Sequence, residues 1–255
     1  MSSILDRFRL DGKTAVVTGA SRGLGQGYAQ ALAEAGADVV LVDILASTET
    51  EAQVRAAGRK ALSVVANLAD RTAIPRVIAE GKNLTGHLDI LVNNAGIIRR
   101  EDFDKFSEKD WDDVINVNLS AVFFLSQAFV RELLARKAPG KIINVASMLS
   151  FQGGIRVPSY TASKSAVMGL TRLMANELAG KGISINAIAP GYMATDNTAQ
   201  LRADEARNKA ILDRIPAGRW GTPDDLKGTV VFLASAAADY VNGYTLAVDG
   251  GWLAR

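Results

Sequence analysis

Five tyrosines occur in the 255-residue chain, and only Tyr160 is followed four positions later by a basic residue, Lys164. On a helix that spacing puts both side chains on one face, one turn apart. A free phenol titrates near ~10, and a neighbouring positive charge brings it toward neutrality. A pair of this kind can pass a proton to or from a reacting oxygen. The spacing alone equally describes an exposed helix face, so the neighbours decide its weight. Ser147 follows the strand pattern Lys141-Ile-Ile-Asn-Val145, and its hydroxyl is available to hold a substrate oxygen for Tyr160. Asn118 is a polar residue in an otherwise apolar helical stretch. Such an amide disfavours helix and needs a partner. It reads as a satisfied helix amide or as a member of a proton relay. Rival proton carriers are few, because the chain has no cysteine and one histidine. Thiolate catalysis, disulfides and zinc-thiolate sites are thereby excluded. A hydrolytic triad or multi-histidine metal site would need His87, which sits in the turn-forming Thr85-Gly-His-Leu-Asp89. No metal is expected.

A second group of residues has phosphate chemistry. Thr18-Gly19-Ala-Ser21-Arg22-Gly23-Leu24-Gly25 joins a strand pattern to a helix pattern. Glycines there permit a sharp turn and close approach of backbone to a pyrophosphate, with the helix dipole behind it. The spacing G-x-x-x-G-x-G differs from the usual dinucleotide fingerprint, and a plain strand-helix turn also explains it. Asp43 ends the second strand pattern, where a carboxylate accepts bonds from a ribose and repels a 2′-phosphate. It also reads as a turn aspartate or helix cap. Arg22 pulls toward a 2′-phosphate but can swing into solvent. The balance favours NAD(H), with NADP(H) weaker.

These residues need a scaffold that brings them to one edge. Apolar runs at 13–18, 38–42, 61–65, 89–93, 141–145, 184–188 and 244–248 read as strands. Helical patterns at 24–35, 48–57, 73–82, 108–136, 160–179, 204–214 and 223–235 separate them. Strands without apolar/polar alternation are covered on both faces, and alternation with helices gives right-handed crossovers and a parallel sheet. The expectation is one α/β domain over 1–255, a Rossmann-like doubly wound sheet of six or seven strands with helices on both faces. Ligands on such sheets bind beyond the strands' carboxyl ends, which is where Gly19, Asp43, Ser147 and Tyr160 fall. Net charge is +2, from 29 basic and 27 acidic residues. The bases are scattered, giving no nucleic-acid footprint. No signal peptide or membrane-spanning run stands out, and a cytoplasmic location is expected.

The motifs together resemble the classical short-chain dehydrogenase/reductase family over nearly the whole chain. They are Thr18-Gly-x-x-x-Gly-x-Gly25, Asn93-Asn-Ala95-Gly96, Asn118, Ser147 with Tyr160-x-x-x-Lys164, and Pro190-Gly191 with Thr195. The resemblance implies that Tyr160 is the general acid/base. Lys164 would lower its pKa and hold the nicotinamide ribose, Ser147 would polarise the carbonyl, and Asn118 would order a proton-feeding water. Asn93 to Gly96 would support the adenosine side, and Ile188 to Thr195 would line the nicotinamide. Where many members carry an aspartate against the adenine, this chain has Asn67, followed by Leu68.

A narrower resemblance, in Ile97-Ile-Arg99-Arg100-Glu101, in 146–160 and in the ending Tyr244 to Arg255, is to members that act on pectin-derived uronates. It implies NADH-dependent reduction of the 5-keto group of 3-deoxy-D-glycero-2,5-hexodiulosonate, or the reverse oxidation, by a homotetramer. An acidic sugar suits the residues, since Arg99 and Arg156 lie on the ligand edge and a guanidinium grips carboxylate with two prongs. Either is expected to anchor it, with Gln152 on the hydroxyls. Met193 to Arg214, polar and free of glycine, reads as a mobile helical lid. Two other readings stay open. One is a reductase of a gluconate, polyol or 3-oxoacyl thioester; the other is an NAD-binding regulator without catalysis, against which the intact Asn118, Ser147, Tyr160, Lys164 set argues.

Overall fold

A computed structural model of the chain describes residues 3–255. Seven parallel strands form one sheet in the order β3-β2-β1-β4-β5-β6-β7. Their ranges are β1 Thr14–Thr18, β2 Asp38–Asp43, β3 Ala61–Val65, β4 Ile90–Asn93, β5 Gly140–Val145, β6 Ile183–Pro190 and β7 Thr245–Val248. Chain order reverses between β1 and β4, so a crevice opens there at the carboxyl ends. The central strands β1, β4 and β6 are buried at every position, whereas β3 and β7, at the two edges, are only partly buried. This is why the inner runs are continuously apolar: each side chain meets a helix on one face or the other.

The helices are α1 Gly23–Glu34, α2 Thr48–Ala56, α3 Ala73–Lys82, α4 Glu108–Ile115, α5 Ala121–Arg136, α6 Pro158–Leu178, α7 Ala199–Ala203, α8 Glu205–Leu212 and α9 Asp224–Ala234. Leu32, Val54, Leu226 and Val230 bring α1, α2 and α9 into one apolar cluster with Val17 and Leu41 of the sheet. Val77, Leu125, Phe129 and Leu178 bring α3, α5 and α6 into a second, with Val16, Leu91 and Ile142. Each fully buried branched side chain of this kind contributes roughly 1.5–3 kcal/mol relative to exposure.

Two expectations change. The single helix expected over 108–136 is broken by a π-helical turn, Asn116–Ser120. Such one-turn insertions recur at functional sites, and this one contains Asn118. The composite rod Glu108–Arg136 is also, against expectation, long and apolar enough to cross a membrane by length and hydropathy. Its apolarity has a local cause, since Val114, Leu125, Phe129 and Leu133 are buried in the protein. The helix expected at 204–214 is α8, capped by the Asp204 carboxylate through the Arg207 amide at 3.0 Å, and the short helix α7 precedes it.

Candidate active site

A cavity of about 950 Å³ opens over the carboxyl ends of the strands. Its phosphate end is built by the turn from β1 into α1. Gly19 has φ +64°, which L side chains rarely adopt, and a Cβ on Gly25 would lie 1.9 Å from the Gly19 carbonyl oxygen. The two glycines therefore let α1 start directly against the strand end. Arg22, at the N-cap of α1, makes no side-chain cap. The first-turn amides of a twelve-residue helix are thus left without a side-chain acceptor, beside a cavity wall formed by Gly19, Ser21, Gly23 and Leu24. Uncapped amides with a dipole behind them fit a dinucleotide's pyrophosphate.

Asp43 stands on the same wall. One carboxylate oxygen accepts from the Ser21 amide at 2.9 Å and the other from the Ile44 amide at 2.7 Å. The second oxygen also accepts from the Leu45 amide at 3.4 Å, so Asp43 is a turn aspartate whose first oxygen retains an acceptor site. Arg22 is 71% exposed and lies 3.5 Å from Asp196. Asn67 and Leu68 line the cavity, with the Asn67 amide oxygen accepting from the Ala69 amide at 3.1 Å.

The loop after β4 is fastened from two sides. The Thr18 hydroxyl accepts from the Asn94 and Ala95 amides, both at 3.0 Å. The Asn94 side chain donates back to the Thr18 and Gly19 carbonyls at 2.9 and 3.1 Å. From the other side Asn118 accepts from the Ile97 amide at 2.8 Å and donates to the Ile97 carbonyl at 2.9 Å. The Asn118 side chain is thus partnered by the loop, and it also donates to the Ser163 hydroxyl at 3.4 Å. Asn93 is also behind the wall, donating to Ser126 and Asn144 at 2.9 Å. Gly25 and Pro190 likewise lie off the wall, whereas Ala95, Gly96, Gly191 and Thr195 are on it.

Ser147, Tyr160 and Lys164 converge on the wall beside these groups. Ser147 is 6% exposed and follows β5 directly, its hydroxyl accepting from the Leu149 amide at 3.1 Å. Tyr160 and Lys164 lie in the first two turns of α6, which begins at Pro158, where proline's missing N–H costs nothing. The Lys164 ammonium is 5.7 Å from the centre of the Tyr160 ring and donates to the Val145 carbonyl at 2.6 Å. Burial pushes the Lys164 amine down to about 8. Burial also raises the Tyr160 phenol above its ordinary value, opposed by a hydrogen bond from Ser147 and the charge of Arg100. Burial is the largest of these influences on Tyr160 and outweighs the other two.

Of the expected substrate residues, Arg99 and Arg156 reach the cavity and Gln152 does not. Arg99 lines the cavity but is paired with Asp110 at 3.2 Å. Arg156 also lines it, in a left-handed backbone conformation (φ 62°), and is paired with Asp102 at 3.0 Å and Glu101 at 3.5 Å. Both arginines already have carboxylate partners and hold the 97–110 region in shape. Gln152 accepts from Arg214 at 3.2 Å and lies off the wall. Beside Arg99 and Arg156 the structure brings Arg100, Tyr192 and Arg207 to the cavity. Arg100 adjoins Arg99 and could have been weighed equally. Arg207 had no signal among the many polar residues of its segment. His87 lies away from the cavity, beside Asp89 and the Gly12 carbonyl, both at 3.2 Å. Among the described residues no group of acids and histidine is placed to hold a metal.

A family model described as short chain dehydrogenase matches residues 13–206. The 2-dehydro-3-deoxy-D-gluconate 5-dehydrogenase of Escherichia coli K12 is 65% identical over 252 residues, covering 99% of this chain and 100% of that one. A crystal structure from Agrobacterium tumefaciens with bound NADP, provisionally named a 2-deoxy-D-gluconate 3-dehydrogenase, superposes with a TM-score of 0.93. It is 58% identical, over 98% of this chain and 99% of that one. A gluconate 5-dehydrogenase from Burkholderia cenocepacia, in complex with NADP and tartrate, has a TM-score of 0.94 at 43% identity, over 99% of this chain and 100% of that one. With residues 13–206 matched by the family model and relatives this similar over nearly the whole chain, the chain belongs to the short chain dehydrogenase family.

Proposed function

We propose that this enzyme interconverts 3-deoxy-D-glycero-2,5-hexodiulosonate and 2-dehydro-3-deoxy-D-gluconate, acting at C5 in the breakdown of pectin-derived uronates. The observation that carries this reading is the convergence of Ser147, Tyr160 and Lys164 on a cavity that begins at an uncapped helix terminus. The full-length 65% identity to the Escherichia coli enzyme supports the substrate. A nicotinamide cofactor, when bound, supplies or takes up the hydride. In reduction the neutral Tyr160 hydroxyl gives its proton to the carbonyl oxygen, and in oxidation the phenolate takes it from the C5 hydroxyl. Ser147 holds that oxygen in place. Lys164 contributes positive charge and a donor for the nicotinamide ribose, and Asn118 keeps the loop after β4 in shape around the cofactor. Gly19, Ser21, Gly23 and Leu24 take the pyrophosphate, while Asp43, Asn67 and Leu68 take the adenosine. Residues 193–214 cover the substrate as a lid on the one domain, in the cytoplasm.

NAD(H) is the cofactor favoured by Asp43, whose carboxylate faces a bound ribose and repels a 2′-phosphate. NADP(H) is the competing reading, favoured by the NADP in the Agrobacterium and Burkholderia relatives. Steady-state rates with NADH and NADPH over a panel of keto-deoxy sugar acids test both parts. The expected result is reduction of the 2,5-diketo acid with a higher kcat/KM for NADH. A clear preference for NADPH overturns the Asp43 assignment, and inactivity toward the acids overturns the substrate.

A further inference from the structure

Five arginines line the cavity, and their partners differ. Arg22, Arg99 and Arg156 each have a carboxylate within 3.5 Å. Arg100 donates to the Asn197 carbonyl at 3.4 Å, and its charge acts on Tyr160, so it stands by the reacting end. Arg207 is different. It is half-buried on α8, and its guanidinium has neither an ion pair nor a hydrogen bond among the described residues. Only its backbone amide is engaged, by Asp204 at 3.0 Å. A guanidinium that has lost part of its hydration without gaining an acceptor is destabilised, and an arriving carboxylate relieves this through two parallel charge-assisted bonds.

The substrate's chemistry selects between the two uncommitted cations. In a six-carbon 5-keto acid the carboxylate carbon is four bonds from the reacting carbon. A cation beside Tyr160 would meet the reacting end, whereas the acid end needs one carried by a different element. We propose that Arg207 binds the substrate's carboxylate, so that the lid helix α8 is fastened over an acidic sugar and the site selects acids over uncharged analogues. This role rests on the substrate class proposed above. It makes Arg207, rather than Arg99 or Arg156, the specificity-determining arginine.

The test is the oxidation of 2-dehydro-3-deoxy-D-gluconate and of its methyl ester by the whole enzyme with its preferred nicotinamide cofactor. The parent is expected to prefer the acid, and Arg207→Gln to lose at least tenfold of that preference through a raised KM for the acid. Arg207→Lys should restore part of it, and Arg202→Gln, on the lid but off the cavity wall, should keep it. If Arg207 had only a structural role, both compounds would be slowed alike, so an unchanged acid-to-ester ratio in Arg207→Gln overturns the proposal. An equal loss of preference in Arg202→Gln overturns it too, by assigning the effect to the lid's overall charge. A parent that oxidises neither compound overturns the substrate reading itself, a result distinct from a parent that prefers acid and a variant that still does.

Discussion

Tyr160 and Lys164 illustrate what spacing conveys and what it omits. Four residues apart on α6, they share a face as expected, and removing the phenolic hydroxyl should remove the proton carrier. Tyr160→Phe is expected to lower kcat by about 10²–10⁴-fold, the usual contribution of a positioned acid/base, with cofactor binding retained in a fluorescence titration. The protonation states depended on burial, which spacing does not contain. Lys164 is 4% exposed and titrates at about 8 when folded, against an ordinary 10.5. Between those values the unfolded chain binds more protons than the folded one, so this residue makes stability rise with pH across that window. Its contribution is at most about 3 kcal/mol, at 1.36 kcal/mol per unit. Urea denaturation of the parent and Lys164→Met at pH 7.5 and 9.5 should show the parent gaining stability relative to the variant at the higher pH. An identical pH response in both would exclude the effect. Arg99 and Arg156 were legible as arginines on the right edge, but their acidic partners Asp110 and Asp102 come from packing, not from periodicity.

Among the elements, the turn from β1 into α1 was the most legible, because glycine chemistry and position point the same way. Its tightest contact is specific: a Cβ on Gly25 meets backbone, which cannot swing aside. Gly25→Ala should therefore displace the start of α1, lowering stability by about 1–3 kcal/mol and weakening nicotinamide cofactor binding at least tenfold. Thermal denaturation and a fluorescence titration measure the two. The strand patterns were found nearly to the residue, since strands buried on both faces carry unbroken apolar runs. The π-turn at 116–120 was not legible. An apolar helical pattern continues through it, and the extra residue is detectable only as the clamp of Asn118 on Ile97. Nor was the short helix α7, because five residues are too few to show an apolar period.

At the scale of the whole molecule, the sheet buries two apolar faces but leaves others open. Trp111 of α4 and Phe123 and Leu134 of α5 are exposed large side chains. They are the side chains proposed for the subunit contacts of the homotetramer that the family resemblance implies. Light scattering should give a mass four times the 27.0 kDa chain, and Phe123→Glu should lower it; a monomeric parent would remove this reading. The strand order has a consequence for synthesis. β1 pairs with β2 on one side and with β4 on the other, and about seventy residues separate β1 from β4. At ~5–20 residues per second, a ribosome takes roughly 4–14 s to cover that distance. Throughout that interval Ala15, Val16 and Val17 present an unpaired edge, the kind of edge that invites pairing with another chain. The strand that begins the cofactor site is thus also the one with most need of chaperone cover while the chain is being made.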